Sequence, residues 1–232
     1  MQEFSKPIVI SVVAIFFMLM VPCVDAGDDG YREASGYTPS TLGAEVPCFL
    51  VEDGCSGDGP RMSMSELAFF DNFNGGHLDS DWDLDDEWSV RDHSLRGLGH
   101  SSADLMNNDV SNFDFRADFK RNRGGIHFNF RLTHPRDGLH RYYVDVSENE
   151  LSLKKQLGQG NFIIMVVSEL NYPDWERWHE IEIEADGGNI RVYLNGHKCI
   201  CYKDPNPINS GRISFEVLPD SEFLIDDVTI YR

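Results

Sequence analysis

Phe113-Asp-Phe-Arg-Ala-Asp-Phe119 alternates apolar and polar residues without a break, and Ile126-His-Phe-Asn-Phe-Arg131 does so again after an Arg123-Gly-Gly turn. A period of two sends one set of side chains to a buried face and the other to the opposite face. The same texture runs on through Tyr142, Val144 and Val146, Leu151 and Leu153, and the apolar run Phe162–Val167. It continues at Ile181 and Ile183, at Ile190, Val192 and Leu194, at Ile213, Phe215 and Val217, and at Phe223, Ile225, Val228 and Ile230. Asp186-Gly-Gly, Asn209-Ser-Gly and Asn195-Gly196 punctuate these runs; the last predicts a two-residue type I′ hairpin, because both central positions need positive φ. No helical period emerges beyond a turn near Met62–Glu66. Roughly twelve strands without crossover helices predict an all-β fold, an antiparallel two-sheet β-sandwich over residues 67–232.

The chain upstream reads differently. Ile8–Val21 is an apolar run preceded by Lys6 and followed by Val24-Asp25-Ala26. The run falls short of the ~20 residues of a bilayer span and ends on small residues suited to cleavage. Residues 1–26 are therefore expected to be a signal peptide, giving a secreted or extracytoplasmic protein with no membrane span in its mature form. Residues 27–66 are rich in Gly, Ser, Asp and Pro and read as a flexible tether.

Composition excludes several classes. Of 232 residues, 39 are Asp or Glu against 20 Lys or Arg, for a net charge of −19. A nucleic-acid binder needs clustered positive charge, so none is expected as a partner. With 41% hydrophobic residues the chain is too apolar for general disorder. The eight histidines are scattered without a paired spacing, and no phosphate loop or nucleophile elbow occurs. The acidic run Asp79–Glu87 lacks the glycine and the final glutamate of an EF-hand.

Four cysteines follow the leader: Cys48, Cys55, Cys199 and Cys201. In an exported chain an even count suggests disulfides. Cys48 and Cys55 flank a segment that can turn back on itself, so a local bridge between them is the expected one. A staple from the N-terminal segment to the 199/201 strand and a four-cysteine zinc site are the alternatives.

Several stretches together carry a family likeness: Phe69-Phe-Asp-Asn-Phe-Asn-Gly-Gly, Trp88-Ser-Val-Arg-Asp-His, Gly124-Gly-Ile-His-Phe-Asn-Phe-Arg131, Trp178-His179, Ile190-Arg-Val-Tyr-Leu-Asn-Gly196 and Phe223-Leu-Ile-Asp-Asp-Val-Thr-Ile230. In this order the chain resembles the concanavalin A-like lectin/glucanase superfamily, nearest its laminin-G-like and 3-keto-disaccharide hydrolase group of jelly-roll domains. The resemblance implies that the first and last strands pair, bringing Asp71 near Asp226 and Asp227, where a structural calcium ion could sit. Carboxylates brought that close repel, and a hard divalent cation relieves the repulsion.

Alternation also nominates a binding face. With Ile126, Phe128 and Phe130 inward, His127, Asn129 and Arg131 face out; on the next strand Arg141, Tyr143 and Asp145 do the same. Such a mix of fork donors, acceptors and one ring suits sugar hydroxyls and the apolar face of a pyranose. Trp175 is expected as a stacking platform and Trp178 as core. Glu180, Glu182 and Glu184 share one strand face, as the carboxylates of retaining glucanases do, but an acidic strand face in solvent is the simpler reading. The expected function is a secreted or cell-surface, non-catalytic module that binds carbohydrate or a cell-surface glycan. A glycoside-processing hydrolase and a structural envelope domain without a small ligand are the alternatives.

Overall fold

The computed structural model describes residues 48, 50–53, 66–75, 80–134, 138–170 and 174–232. The leader 1–26 lies outside them. They hold sixteen strands and no helix, hence no helix long and apolar enough to cross a membrane. The strands are β1 (Val51–Asp53), β2 (Leu67–Asp71), β3 (Trp82–Leu84), β4 (Trp88–Arg91), β5 (Ser94–Leu98) and β6 (Ser101–Leu105). Then come β7 (Phe113–Arg123), β8 (Ile126–Thr133), β9 (His140–Val146), β10 (Glu150–Leu157) and β11 (Phe162–Glu169). The chain ends with β12 (His179–Asp186), β13 (Asn189–Leu194), β14 (His197–Lys203), β15 (Arg212–Val217) and β16 (Glu222–Tyr231).

Two sheets result. One has nine strands in the order β1-β14-β13-β12-β7-β16-β5-β4, with β2 also on β16; the other has seven, β11-β10-β9-β8-β15-β6-β3. All pairs are antiparallel except β1 on β14. The inward residues anticipated on β7 (Phe113, Phe115, Ala117 and Phe119) are all buried, as are Ile126, Phe128 and Phe130 on β8. Across the two sheets Phe128 meets Phe115, Phe119 and Phe215 at centroid separations of 6.3, 5.4 and 5.7 Å. Each such contact adds about 0.5–1.5 kcal/mol beyond its buried area.

The Asn195-Gly196 turn has φ of 52° and 77°, as its type I′ geometry requires. The first long strand and the last do pair, through Val228 on Asp71. Along its other edge β16 runs against β5 and then β2, and the handover is marked by a bulge at Asp226–Asp227, where Asp227 has φ 46°.

The tether expected over 27–66 does not extend through Asp53. Val51–Asp53 instead lies in parallel register on β14, with Val51 opposite Ile200. This extended course overturns the expected Cys48–Cys55 bridge. Cys48 is held out along β14 rather than folded back, its thiol is free, and its Sγ lies 3.6 Å from the Lys198 carbonyl. The disulfide is made by Cys201, while Cys199 is free and buried. Cys55 lies outside the described residues.

Candidate functional site

Strand register sets the polar residues of the seven-stranded sheet in rows. Glu216 on β15 stands opposite His127 on β8, which stands opposite Asp145 on β9. In the next row Ser214, Asn129, Tyr143 and Lys154 follow one another across β15, β8, β9 and β10. Arg141 pairs with Gln156 in the row after that. Cross-strand neighbours on one face lie close enough to interact directly.

They form one network. Arg141 Nη1 donates to Glu216 Oε2 at 2.5 Å and to Asn129 Oδ1 at 2.9 Å, while its Nε donates to Gln156 Oε1 at 2.9 Å. Asn129 Nδ2 donates to Ser214 Oγ at 3.0 Å, and Lys154 Nζ to Asp145 Oδ2 at 2.5 Å. The Tyr143 ring lies under the Arg141 guanidinium, 4.8 Å from its centroid, and 4.5 Å from the His127 ring. Burial alone would raise the Glu216 carboxyl, but the hydrogen bond from His127 and the charge and hydrogen bond of Arg141 hold it at about 2. A carboxylate so firmly ionised can only accept, so Nδ1 of His127, 3.0 Å away, carries the proton of that bond.

Five of the residues expected on this face are therefore gathered there: His127, Asn129, Arg141, Tyr143 and Asp145. Arg131 is not. A bulge between Phe130 and Thr133 gives it φ 50° and turns its side chain into the interior. There its guanidinium donates to the carbonyls of Ser111, Gly187 and Ile208. Gly211 permits this turn, since a Cβ at that position would lie 2.4 Å from the Arg131 carbonyl carbon. The two tryptophans exchange their expected places. Trp175 is buried against Phe119 and His179, with Nε1 donating to the Glu148 carbonyl, whereas Trp178 is 42% exposed. Glu216, Lys154 and Gln156 were missed. Glu216 alternates with Phe215 and Val217, so laying that run beside residues 126–131 would have exposed it.

The acidic strand face is not a row of solvated carboxylates. Glu180 is exposed, but Glu182 and Glu184 are buried. Glu182 pairs with Arg116 at 3.2 Å; Glu184 pairs with Arg191 at 3.2 Å and accepts from the Tyr193 hydroxyl. Both carboxylates are therefore held in ion pairs rather than standing free on the strand face. Glu182→Gln should lower stability by about 1–2 kcal/mol, a buried charge pair discounted for the partly exposed Arg116. Urea unfolding measures it; an unchanged midpoint would return Glu182 to solvent.

Of the expected calcium ligands, Asp71 caps the Phe73 amide with Oδ1 at 2.8 Å and accepts from Trp82 Nε1 with Oδ2 at 2.9 Å. Among the described residues no three acidic, His or Cys side chains are gathered to hold a metal. Asp226 instead keeps its proton up to about 6, through burial and the charges of Asp227 and Asp71. On the adjoining β7, Asp118 is pushed up to about 7 by burial, then by Glu180, Asp227 and Asp226. The outer side of the nine-stranded sheet also has a hollow of about 250 Å³ lined by Arg91, Asp92, Ser94, Arg96, Asn122 and Leu224. It offers no ring, and Glu222 takes both Arg96 and Asn122.

Residues 69–230 match the family of 3-keto-alpha-glucoside-1,2-lyase-like domains. The chain belongs to this family. No curated protein matches it significantly. Solved structures share its fold at low identity. The carbohydrate-binding module CBM66 from Bacillus subtilis is 19% identical with a TM-score of 0.54, over 66% of this chain and 96% of that one. A Bacillus subtilis protein of galectin-like fold is 12% identical with a TM-score of 0.61, over 72% and 96%. The catalytic domain of an endo-1,3-beta-glucanase (laminarinase) from Thermotoga petrophila is 12% identical with a TM-score of 0.57, over 72% and 97%. The sandwich of this 3-keto-alpha-glucoside-1,2-lyase-like domain is thus a concanavalin A-like jelly roll.

Proposed function

We propose that the protein binds carbohydrate without cleaving it, on the outward face of the seven-stranded sheet around Arg141, Tyr143, His127 and Glu216. The observation that carries this reading is the convergence of four strands' polar side chains on one aromatic ring in a single hydrogen-bonded network. Such a network holds its donors and acceptors in place before a ligand arrives, which lowers the ordering cost of binding. The family name refers to a glucoside, and the similar structures include a carbohydrate-binding module and a laminarinase, which supports a saccharide as the ligand class. The non-catalytic half rests on Glu182 and Glu184 being buried in ion pairs. Export through residues 1–26 belongs to the same reading, and a disulfide at Cys201 fits an oxidising compartment.

A glycan array with the purified protein, repeated in EDTA, identifies the ligand. Arg141→Ala should weaken binding to it at least about tenfold, the loss of a charge-assisted contact. Binding that survives Arg141→Ala in a folded variant would move the site elsewhere. Release of reducing sugar from a β-glucan, lost in Glu182→Gln, would replace the reading with that of a hydrolase.

A further inference from the structure

The cysteine arrangement supports a covalent modification independent of the sugar face. Cys48 sits where two sheet edges come together. It forms a β-bridge to Leu170, just past β11 at the edge of the seven-stranded sheet, and three residues later the chain joins β14 of the nine-stranded sheet as its outermost strand. Its Sγ lies 3.6 Å from the carbonyl of Lys198, the residue just before Cys199. Cys199 is completely buried, and both thiols are free. We infer that Cys48 and Cys199 close a second disulfide, which clamps β1 across β14 beside the bridge made by Cys201.

The Cys48 thiol reaches the residue beside Cys199, and the acidities of the two thiols are split in the sense the chemistry needs. The neighbouring Cys199 holds the Cys48 thiol below its ordinary pKa, while Cys48 and then burial push the Cys199 thiol up; the thiols themselves donate to carbonyls, Cys48 to Lys198 O at 3.6 Å and Cys199 to His197 O at 3.4 Å. Cys48, the half-buried partner, is then the thiolate that attacks first. The oxidant is a disulfide, such as oxidised glutathione or the active-site disulfide of an oxidoreductase. Cys48 attacks one of its sulfurs, forming a mixed disulfide and expelling one thiol. Cys199 sulfur then attacks the Cys48 sulfur, its proton passing to the second departing thiol. One protein disulfide forms, two thiols leave, and the two electrons lost by the cysteines reduce the oxidant.

What the bridge secures follows from its place. β1 is only three residues long and is the sole parallel strand of its sheet, so its own hydrogen bonds hold it weakly. It covers the edge of β14, and an uncovered edge is a template for pairing with other chains. Covalent closure keeps that edge covered.

The full chain, reduced and then reoxidised with glutathione, is to be acid-quenched, alkylated in urea without reductant and mapped by mass spectrometry. The expected result is a peptide holding Cys48 joined to one holding Cys199, with neither residue alkylated. Alkylation of both, or Cys48 joined to Cys55 or Cys201, overturns the inference. In oxidising buffer Cys48→Ser should melt about 5 °C below wild type; equal melting temperatures would show that the bridge clamps nothing.

Discussion

Arg131→Met should cost about 3–5 kcal/mol of folding stability and lower the melting temperature by roughly 10 °C or more. The guanidinium is fully buried, and among the described residues its donors go to carbonyl oxygens and to no carboxylate. Its Nε and Nη2 both donate to Ser111 O at 2.9 and 2.6 Å, and Nη1 donates to Gly187 O at 2.7 Å and Ile208 O at 2.9 Å. Three segments far apart in the chain are thereby tied to one fork. Methionine fills most of the volume but removes four donations from a charged fork, each worth about 1.5–3 kcal/mol, of which water returns a share at the exposed Ser111 and Gly187 and the half-buried Ile208. Arg131→Lys should recover only part of the loss, because an ammonium cannot span the same acceptors. Urea unfolding at neutral pH reads both variants. A loss under about 1 kcal/mol for Arg131→Met would mean that these carbonyls find water once the guanidinium is gone.

The same residue shows where sequence reading reaches its limit. Alternation made the sandwich legible, since a sheet with one buried face must repeat every two residues, and Phe113–Phe119 can satisfy no other regular structure. It placed His127, Asn129, Arg141, Tyr143 and Asp145 on one face for the same reason. Alternation fails at a bulge. The extra residue in β8 reverses the facing of everything after it, and positive φ at Arg131 and Asp227 leaves no mark where the residue is not glycine. Short strands escaped for want of length: Trp82–Leu84 and Val51–Asp53 are too brief to show a period. Glu182 and Glu184 were misplaced because a strand's outward face reads as solvent unless something is known to cover it. Trp175 and Trp178 precede the same strand, and nothing local tells which ring turns inward to reach Phe119.

Stability should fall as pH rises from about 4 to 8, by about 2–3 kcal/mol, and Asp118→Asn should remove most of that slope. Asp118 on β7, Glu180 on β12, Asp226 and Asp227 on β16 and Asp71 on β2 crowd one region of the nine-stranded sheet, with His93 the cation acting on Asp226. Folding pushes Asp118 from its ordinary 3.8 up to about 7 and Asp226 up to about 6, so the folded protein binds protons that the unfolded chain has released. Protonation therefore favours the fold, and the benefit drains away as pH climbs through those two values. Because the carboxyls titrate as a cluster, the slope belongs to the group, and the figure is discounted for their partial exposure. Glu216 acts in the opposite sense: held at about 2, its ionised form favours the fold, and that contribution is lost as pH drops from 4.5 toward 2. Together they set the expected stability maximum at about pH 4, where the gain from Glu216 ends and the loss from Asp118 and Asp226 begins. Thermal melts across pH 3–9 test this, with wild type and Asp118→Asn in parallel. Millimolar calcium at pH 8 separates two ways of relieving the same repulsion. A proton-relieved cluster leaves the melting temperature unchanged by calcium, whereas a rise that disappears in Asp227→Asn would show that a cation sits among these carboxylates. A flat profile from pH 5 to 8 in EDTA would mean that neither Asp118 nor Asp226 retains its proton above the ordinary carboxylate range.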